Sequence, residues 1–331
     1  MKKLLSMISM LALFMVILTA CGNNNTASQP ASTAIEGAAS SEQSTSASEG
    51  TSERTIEYLG KTYTVPMKVE RIVITGSMEA HEDALVLDVH PVGAVTVTGK
   101  FPERYAAITD QAESIGEKSE PNFETILKLK PDVILGTTKF PKETVEQLNK
   151  IAPTIPVSHI ATDWENNLLM LGELTGKRAQ AEQEISKYKT SIESAKRTLS
   201  DKLKDKQVVA LRVRSSQLFM YSPPVFLNPI LYEDLGLKVP ETVAASKSQE
   251  AISVEQLAAM NPDYLFIQFL TNENKDSQNA LPDVLDNPIV QKIKAIKEKH
   301  VYVNIIDPLA EGGPVWSRTQ FLNAMMEKLV Q

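Results

Sequence analysis

The sequence predicts a two-lobed α/β protein, and three observations predict it. Short apolar, β-branched runs alternate with helical patterns on both sides of the chain's middle. The middle itself, from about Trp164 to Leu203, turns rich in Leu, Glu, Lys and Ala, with apolar residues at helical spacing. And one unit occurs twice: NFETILKLKPDVIL from Asn122 to Leu135 and SVEQLAAMNPDYLF from Ser253 to Phe266. In each copy a glutamate, Glu124 or Glu255, stands seven residues before a Pro-Asp pair, Pro131-Asp132 or Pro262-Asp263. Helix, Pro-Asp and strand make a common connection when alone. Two copies with one spacing, on either side of a helical segment, predict two Rossmann-like lobes joined by a single long helix, with a cleft between them.

The elements follow in order. Lys2 and Lys3 precede an apolar run from Leu4 to Leu18, and Leu18-Thr-Ala-Cys21 has the form of a bacterial lipobox. Residues 1–20 are therefore expected to be a lipoprotein signal peptide and Cys21 the lipidated N-terminus. The run is nearly long enough to span a bilayer, so an uncleaved anchor is the other reading. Cys21 is the only cysteine, which excludes an internal disulfide. Residues 21–53 are mostly Ser, Thr, Ala, Asn, Gly and Glu with almost no large apolar residue, a composition that buries no core, and are expected to be a disordered tether. An N-terminal α/β lobe is expected over 54–165. It opens on a hairpin from Ile56 to Val65 around Gly60-Lys61, then places strands at 71–75, 91–97, 132–136 and 154–158 and helices at 81–88 and 144–149. Linker helices over 166–205 follow, the longer one from about Arg178 to Leu203. A C-terminal lobe over 206–331 has strands at 207–213, 218–221, 264–268 and 301–303. Its helices are expected at 229–235, 253–259, 288–297 and 315–329.

The 331 residues carry a formal net charge of −7, which argues against nucleic acid as a partner. Against that background the stretch VVALRVRSSQ, from Val208 to Gln217, is unusual. Strand side chains alternate faces, so Arg212 and Arg214 point the same way. They either recognise an anion or bridge acidic residues on a neighbouring helix. Nothing points to catalysis. The cysteine is taken by the lipobox, and His81, His90, His159 and His300 have no metal-ligand spacing. Neither a P-loop nor GxGxxG occurs.

Lipobox, tether and two lobes about a long helix resemble the helical-backbone (class III) ABC-transporter siderophore-binding lipoproteins. Within them, the chain is similar to the binders of ferric catecholates of the bacillibactin and enterobactin type. ITGSMEAHEDALVLDVHPVGA, TGKFPERY, GEKSEPNFETILKLKPDVIL, LRVRSSQLFMYSP, AASKSQEAISVEQLAAMNPD and VYVNIIDPLAEGGPVWS carry the resemblance, which covers essentially the whole chain. It implies ligand-binding roles for Lys100, Lys118, Arg212, Arg214, Lys247 and Gln249, and docking of Glu124 and Glu255 onto arginines of an ABC permease. The alternative for both glutamates is a first-turn residue favoured by the helix dipole. It further implies a monomer at the extracellular face of a cell membrane of Gram-positive type, with no cofactor and no protein metal site, because the siderophore itself holds the iron. Where the catecholate-binding members carry a glutamine after the second arginine, this chain has Ser215. A trianionic, aromatic ferric catecholate suits planar, permanently charged guanidiniums, in a cleft free of a compensating carboxylate cluster. A hydroxamate siderophore, haem or cobalamin is the alternative ligand in the same importer class. Trp316, at the start of the last helix, has two placements open, the cleft wall or the core.

Overall fold

The computed structural model describes residues 52–330. The signal-peptide and lipidation assignments, Cys21 included, and almost all of the expected tether lie outside them. Among the described residues no helix is long and apolar enough to cross a membrane.

Strands β1 (Glu53–Tyr58) and β2 (Lys61–Pro66) form the expected hairpin. Its two-residue turn is Leu59-Gly60, one position earlier than expected, and both residues have positive φ, as a turn matching the strand twist requires. Next come β3 (Ile72–Ile74), β4 (Gly93–Thr96), β5 (Glu113–Glu117), β6 (Glu120–Pro121), β7 (Val133–Thr137) and β8 (Thr154–Val157). They build one sheet in the order β6-β5-β4-β3-β7-β8, parallel except at the β6 edge. Helices α1 (Met78–Leu87), α2 (Ala106–Thr109), α3 (Phe123–Leu129) and α4 (Lys142–Asn149) connect them. Helices α5 (Trp164–Thr175) and α6 (Arg178–Leu203) lead away. The second sheet, in the order β11-β10-β9-β12-β13, uses β9 (Val208–Arg214), β10 (Gln217–Tyr221), β11 (Gln249–Ile252), β12 (Tyr264–Phe269) and β13 (Val301–Val303). Helices α7 (Glu241–Ala245), α8 (Val254–Met260), α9 (Ala280–Leu285), α10 (Lys294–Lys297) and α11 (Val315–Val330) complete the lobe.

Helix α6 is continuous because its buried residues, Ala181, Ile185, Tyr188, Ile192, Ala195, Leu199 and Leu203, fall three or four apart and make one stripe. The stripe packs on α5 and α11. Helix α11 also packs on α1 and α5, so the end of the chain ties the second lobe to the first. Two expected helices differ. The 229–235 segment is a π-helical turn over Ile230–Asp234. The 288–297 segment is broken: a 3-10 turn at Val290–Lys292 precedes α10, and Ile293 between them is extended, with Asn261 accepting from the Lys294 amide at 2.9 Å.

The repeated unit is one structure built twice. Asn122 and Ser253 cap α3 and α8, accepting from the amides of Thr125 and Gln256. Lys130 and Asn261 end the helices in left-handed conformation. Then the aspartates clasp the neighbouring strand. Asp132 accepts from the Glu70 and Arg71 amides at 2.8 Å ahead of β3, and Asp263 from the Gln207 amide at 2.9 Å ahead of β9. The same clasp therefore sets the register of β7 on β3 and of β12 on β9.

Helix α1 buries charge. The His81 Nδ1 lies 2.7 Å from the Ser77 carbonyl, and burial pushes the imidazole down to about 4. Burial pushes Glu82 up to about 7, although the Arg104 guanidinium, the Ser317 hydroxyl and the Glu311 amide all favour its charged form. The signs oppose. His81, depressed from 6.5, contributes stability that is lost as pH falls from 6.5 toward 4. Glu82, raised from 4.5, contributes stability that is lost as pH rises from 4.5 toward 7. Each is worth about 3 kcal/mol. The wild-type contributions thus offset each other between the two values. Glu82→Gln is expected to lose about 2–3 kcal/mol more than wild type between pH 6.5 and 4.5 in urea unfolding. Parallel curves would refute the linkage.

Candidate ligand cleft

The carboxyl ends of β7, β8, β9 and β12 open on a cleft of about 260 Å³ lined by residues of both lobes. This is where open α/β sheets place ligands. Larger hollows lie elsewhere, two of them along α6.

On the second lobe's side, β9 sends Arg212 and Arg214 from one face, as their spacing predicts. The Arg212 guanidinium is already engaged. Its Nε and Nη2 donate to the two oxygens of Glu273 at 2.9 and 2.8 Å, a bidentate ion pair. Glu273 sits in the 3-10 turn Thr271–Asn274 after β12. Arg214 lies over the Phe219 ring, 4.7 Å from its centroid, and has no carboxylate in salt-bridge range among the described residues. Ser215 and Ser216 are the two-residue turn to β10, both at positive φ, and the Ser215 amide donates to the Glu273 carbonyl at 3.1 Å. Tyr221 and Phe226, ring centroids 4.6 Å apart, supply an aromatic wall. Gln249 opens the edge strand β11 opposite Tyr221.

On the first lobe's side, Lys118 stands at the tip of the two-residue turn between β5 and β6. Its Nζ lies 2.5 Å from Glu311 Oε1. Lys139, just past β7, lies 3.5 Å from Glu79. His159, just past β8, is 2.7 Å from the Thr138 hydroxyl, and burial and Lys139 lower its pKa. Burial alone raises the Glu311 carboxyl, but Lys118, Lys139 and Arg212 hold it down at about 2, so it stays ionised. Its loop lies flat on the cleft wall because Gly312, at φ +80°, has no Cβ. One there would meet the Phe226 backbone at 2.7 Å.

The structure thus brings Lys118, Arg212, Arg214 and Gln249 together in one lining. Lys100 and Lys247 are exposed and outside that lining, though on loops beside it. The turn bearing Lys100 is pinned by Glu117, which accepts from the Thr98 and Gly99 amides at 3.1 and 2.8 Å. Lys247 precedes Ser248 of the lining. Glu124 and Glu255 are exposed at matching first-turn positions of α3 and α8, and Glu124 also pairs with Lys128 at 2.7 Å. Of the two placements left open for Trp316, the cleft wall is not taken, and the ring packs against the edge of the core. It is half-buried, 5.8 Å from the Arg104 guanidinium. One expectation is corrected: the cleft does contain carboxylates, Glu273 and Glu311, each bonded to one of its cations. Sequence reasoning also passed over Lys139 and His159. Their signal was present, since both follow the carboxyl end of a buried strand.

A family model described as periplasmic binding protein matches residues 73–304. The iron-uptake system-binding protein of Bacillus subtilis (strain 168) is 45% identical over 333 residues, covering 100% of both chains. A probable siderophore-binding lipoprotein of that organism, YfiY, is 27% identical over 91% of this chain and 90% of its own. Among solved structures, the triscatecholate siderophore binding protein FeuA from Bacillus subtilis complexed with ferri-bacillibactin superposes with a TM-score of 0.81 at 49% identity. That match covers 84% of this chain and 98% of FeuA.

Proposed function

Because the chain belongs to the periplasmic binding protein family, we propose that it is the extracellular substrate-binding lipoprotein of an ABC importer, and that it captures ferric catecholate siderophores for iron uptake. One observation carries the ligand assignment. Four cations from two lobes, Lys118, Lys139, Arg212 and Arg214, converge with Tyr221 and Phe226 on one cleft. A trianionic complex with aromatic faces asks for that combination of charge, donors and rings. The FeuA structure, complexed with ferri-bacillibactin, supports the reading by its similarity over nearly the whole described chain.

Lys118, Arg212, Arg214 and Gln249 contact the ligand directly. Lys100 and Lys247 reach it from their rim loops. No bond in the ligand is made or broken. Helix α6 restricts hinge motion, so binding closes the lobes only slightly. Glu124 and Glu255 then dock on the permease, one per lobe, matching two symmetry-related subunits. Cys21 anchors the protein to the outer face of the membrane, and the protein acts as a monomer.

The test has two arms. Ferric bacillibactin and ferric enterobactin are expected to quench the intrinsic fluorescence of the chain strongly, and near-neutral ferrichrome weakly; the reverse order removes the ligand assignment. In iron-uptake assays, Glu124→Ala/Glu255→Ala is expected to abolish import while leaving the titration unchanged. Import at the wild-type rate refutes the docking role.

A further inference from the structure

We infer that Glu273 and Glu311 are built-in counter-anions of the cleft, occupying on Arg212 and Lys118 the places that the ligand's oxygens take, and so setting a charge threshold for binding. The inference rests on the catecholate reading above and assigns roles to two carboxylates that the reading does not need. The geometry points to it in three ways. Glu273 engages Arg212 with both oxygens, at 2.9 and 2.8 Å, which is how a guanidinium takes any planar dianionic or carboxylate edge. Lys118 is likewise taken by a carboxylate of the lining, Glu311, at 2.5 Å. The cleft lined by these pairs holds about 260 Å³. Sites for drug-sized ligands occupy about 300–1,000 Å³, and a ferric tris-catecholate is larger than most such ligands. Loading therefore has to move side chains of the lining, and Lys118 exchanges Glu311 for the ligand.

The consequence is selectivity. A weak or singly charged anion gains little by replacing carboxylates already in place. A trianion held by Lys118, Lys139, Arg212 and Arg214 together outcompetes them. Both glutamates are held where they compete: the Glu311 amide donates to Glu82 at 2.9 Å, and the Glu273 carbonyl accepts from Ser215 at 3.1 Å. Displaced side chains can swing away while their backbones stay fixed.

Glu273→Gln and Glu311→Gln test the inference, each titrated with ferric bacillibactin and with ferrichrome at two salt concentrations. Glu241→Gln, on the exposed start of α7, serves as control. Each cleft variant is expected to bind ferric bacillibactin about 5- to 10-fold tighter than wild type, with a steeper loss on adding salt and unchanged ferrichrome binding. Glu311→Asp, which keeps the charge, is expected to bind as wild type does. A merely structural role predicts a lower melting temperature and no gain in affinity. Unchanged or weaker catecholate binding in both glutamine variants, with wild type binding normally, overturns the inference alone. Failure of the wild-type chain to bind any ferric catecholate overturns the underlying reading and the inference with it.

Discussion

Replacing Arg212 and Arg214 together with alanine is expected to weaken binding of ferric bacillibactin by about two orders of magnitude or more, with the fold retained. Truncating one member of a desolvated charge pair typically costs about 2–5 kcal/mol, and each 1.4 kcal/mol is a tenfold loss. Arg212 is the more sensitive site. Its removal takes away a donor fork and also leaves Glu273 without its cation, facing an anionic ligand. Arg214, not paired with a carboxylate among the described residues and lying over Phe219, is the guanidinium most directly available to the ligand. The ordering can be checked by single variants. Arg212→Ala is expected to cost more than Arg214→Ala, and adding Glu273→Ala to Arg212→Ala is expected to recover part of the loss. Fluorescence titration gives the affinities, and near-UV circular dichroism reports the fold. Wild-type affinity in the double arginine variant would mean that these arginines serve the sheet and not the ligand.

The part of this site that reads out of the sequence is the part encoded by short-range pattern. Two arginines at alternate positions of an apolar strand announce a shared face whatever the rest of the chain does. The stripe from Ile185 through Tyr188 to Ile192 announces a long helix, and the doubled Glu and Pro-Asp spacing announces two lobes. What the sequence conceals is long-range. Nothing about Thr271-Asn-Glu-Asn indicates that its glutamate reaches an arginine 61 positions earlier. Nothing about Ala310-Glu-Gly-Gly indicates a partner 193 positions away. Strand β5 is missed for a related reason: it buries only Ile115, so it has no alternation to detect. The helix expected over 288–297 fails because the Asn261 side chain, from the preceding unit, takes the Lys294 amide and starts a separate helix there.

Replacing Arg318 with methionine is expected to destabilise the protein by about 3–5 kcal/mol, the range for orphaning a buried ionic partner. Arg318 is 1% exposed, and each nitrogen of its guanidinium donates a hydrogen bond. Nε donates to the Gly313 carbonyl at 2.6 Å, Nη2 to the Ala161 carbonyl at 2.7 Å, and Nη1 to Asp234. The group also lies 4.9 Å from the centre of the Trp164 ring, and the Tyr188 hydroxyl donates to the same Asp234 at 2.6 Å. Methionine fills the space but leaves two carbonyls without their donor and Asp234 without its cation. Lysine keeps the charge without the planar fork, so Arg318→Lys is expected to fall between the two. These contacts join both halves of the molecule. Ala161 introduces α5, Asp234 and Gly313 belong to the second lobe, and the adjacent Ser317 hydroxyl donates to Glu82 of α1. A loss at this junction therefore loosens both lobes at once. Urea unfolding of Arg318→Met is expected to remain a single transition at lower midpoint. Two separated transitions would show instead that the lobes hold independently and that α11 does not couple them.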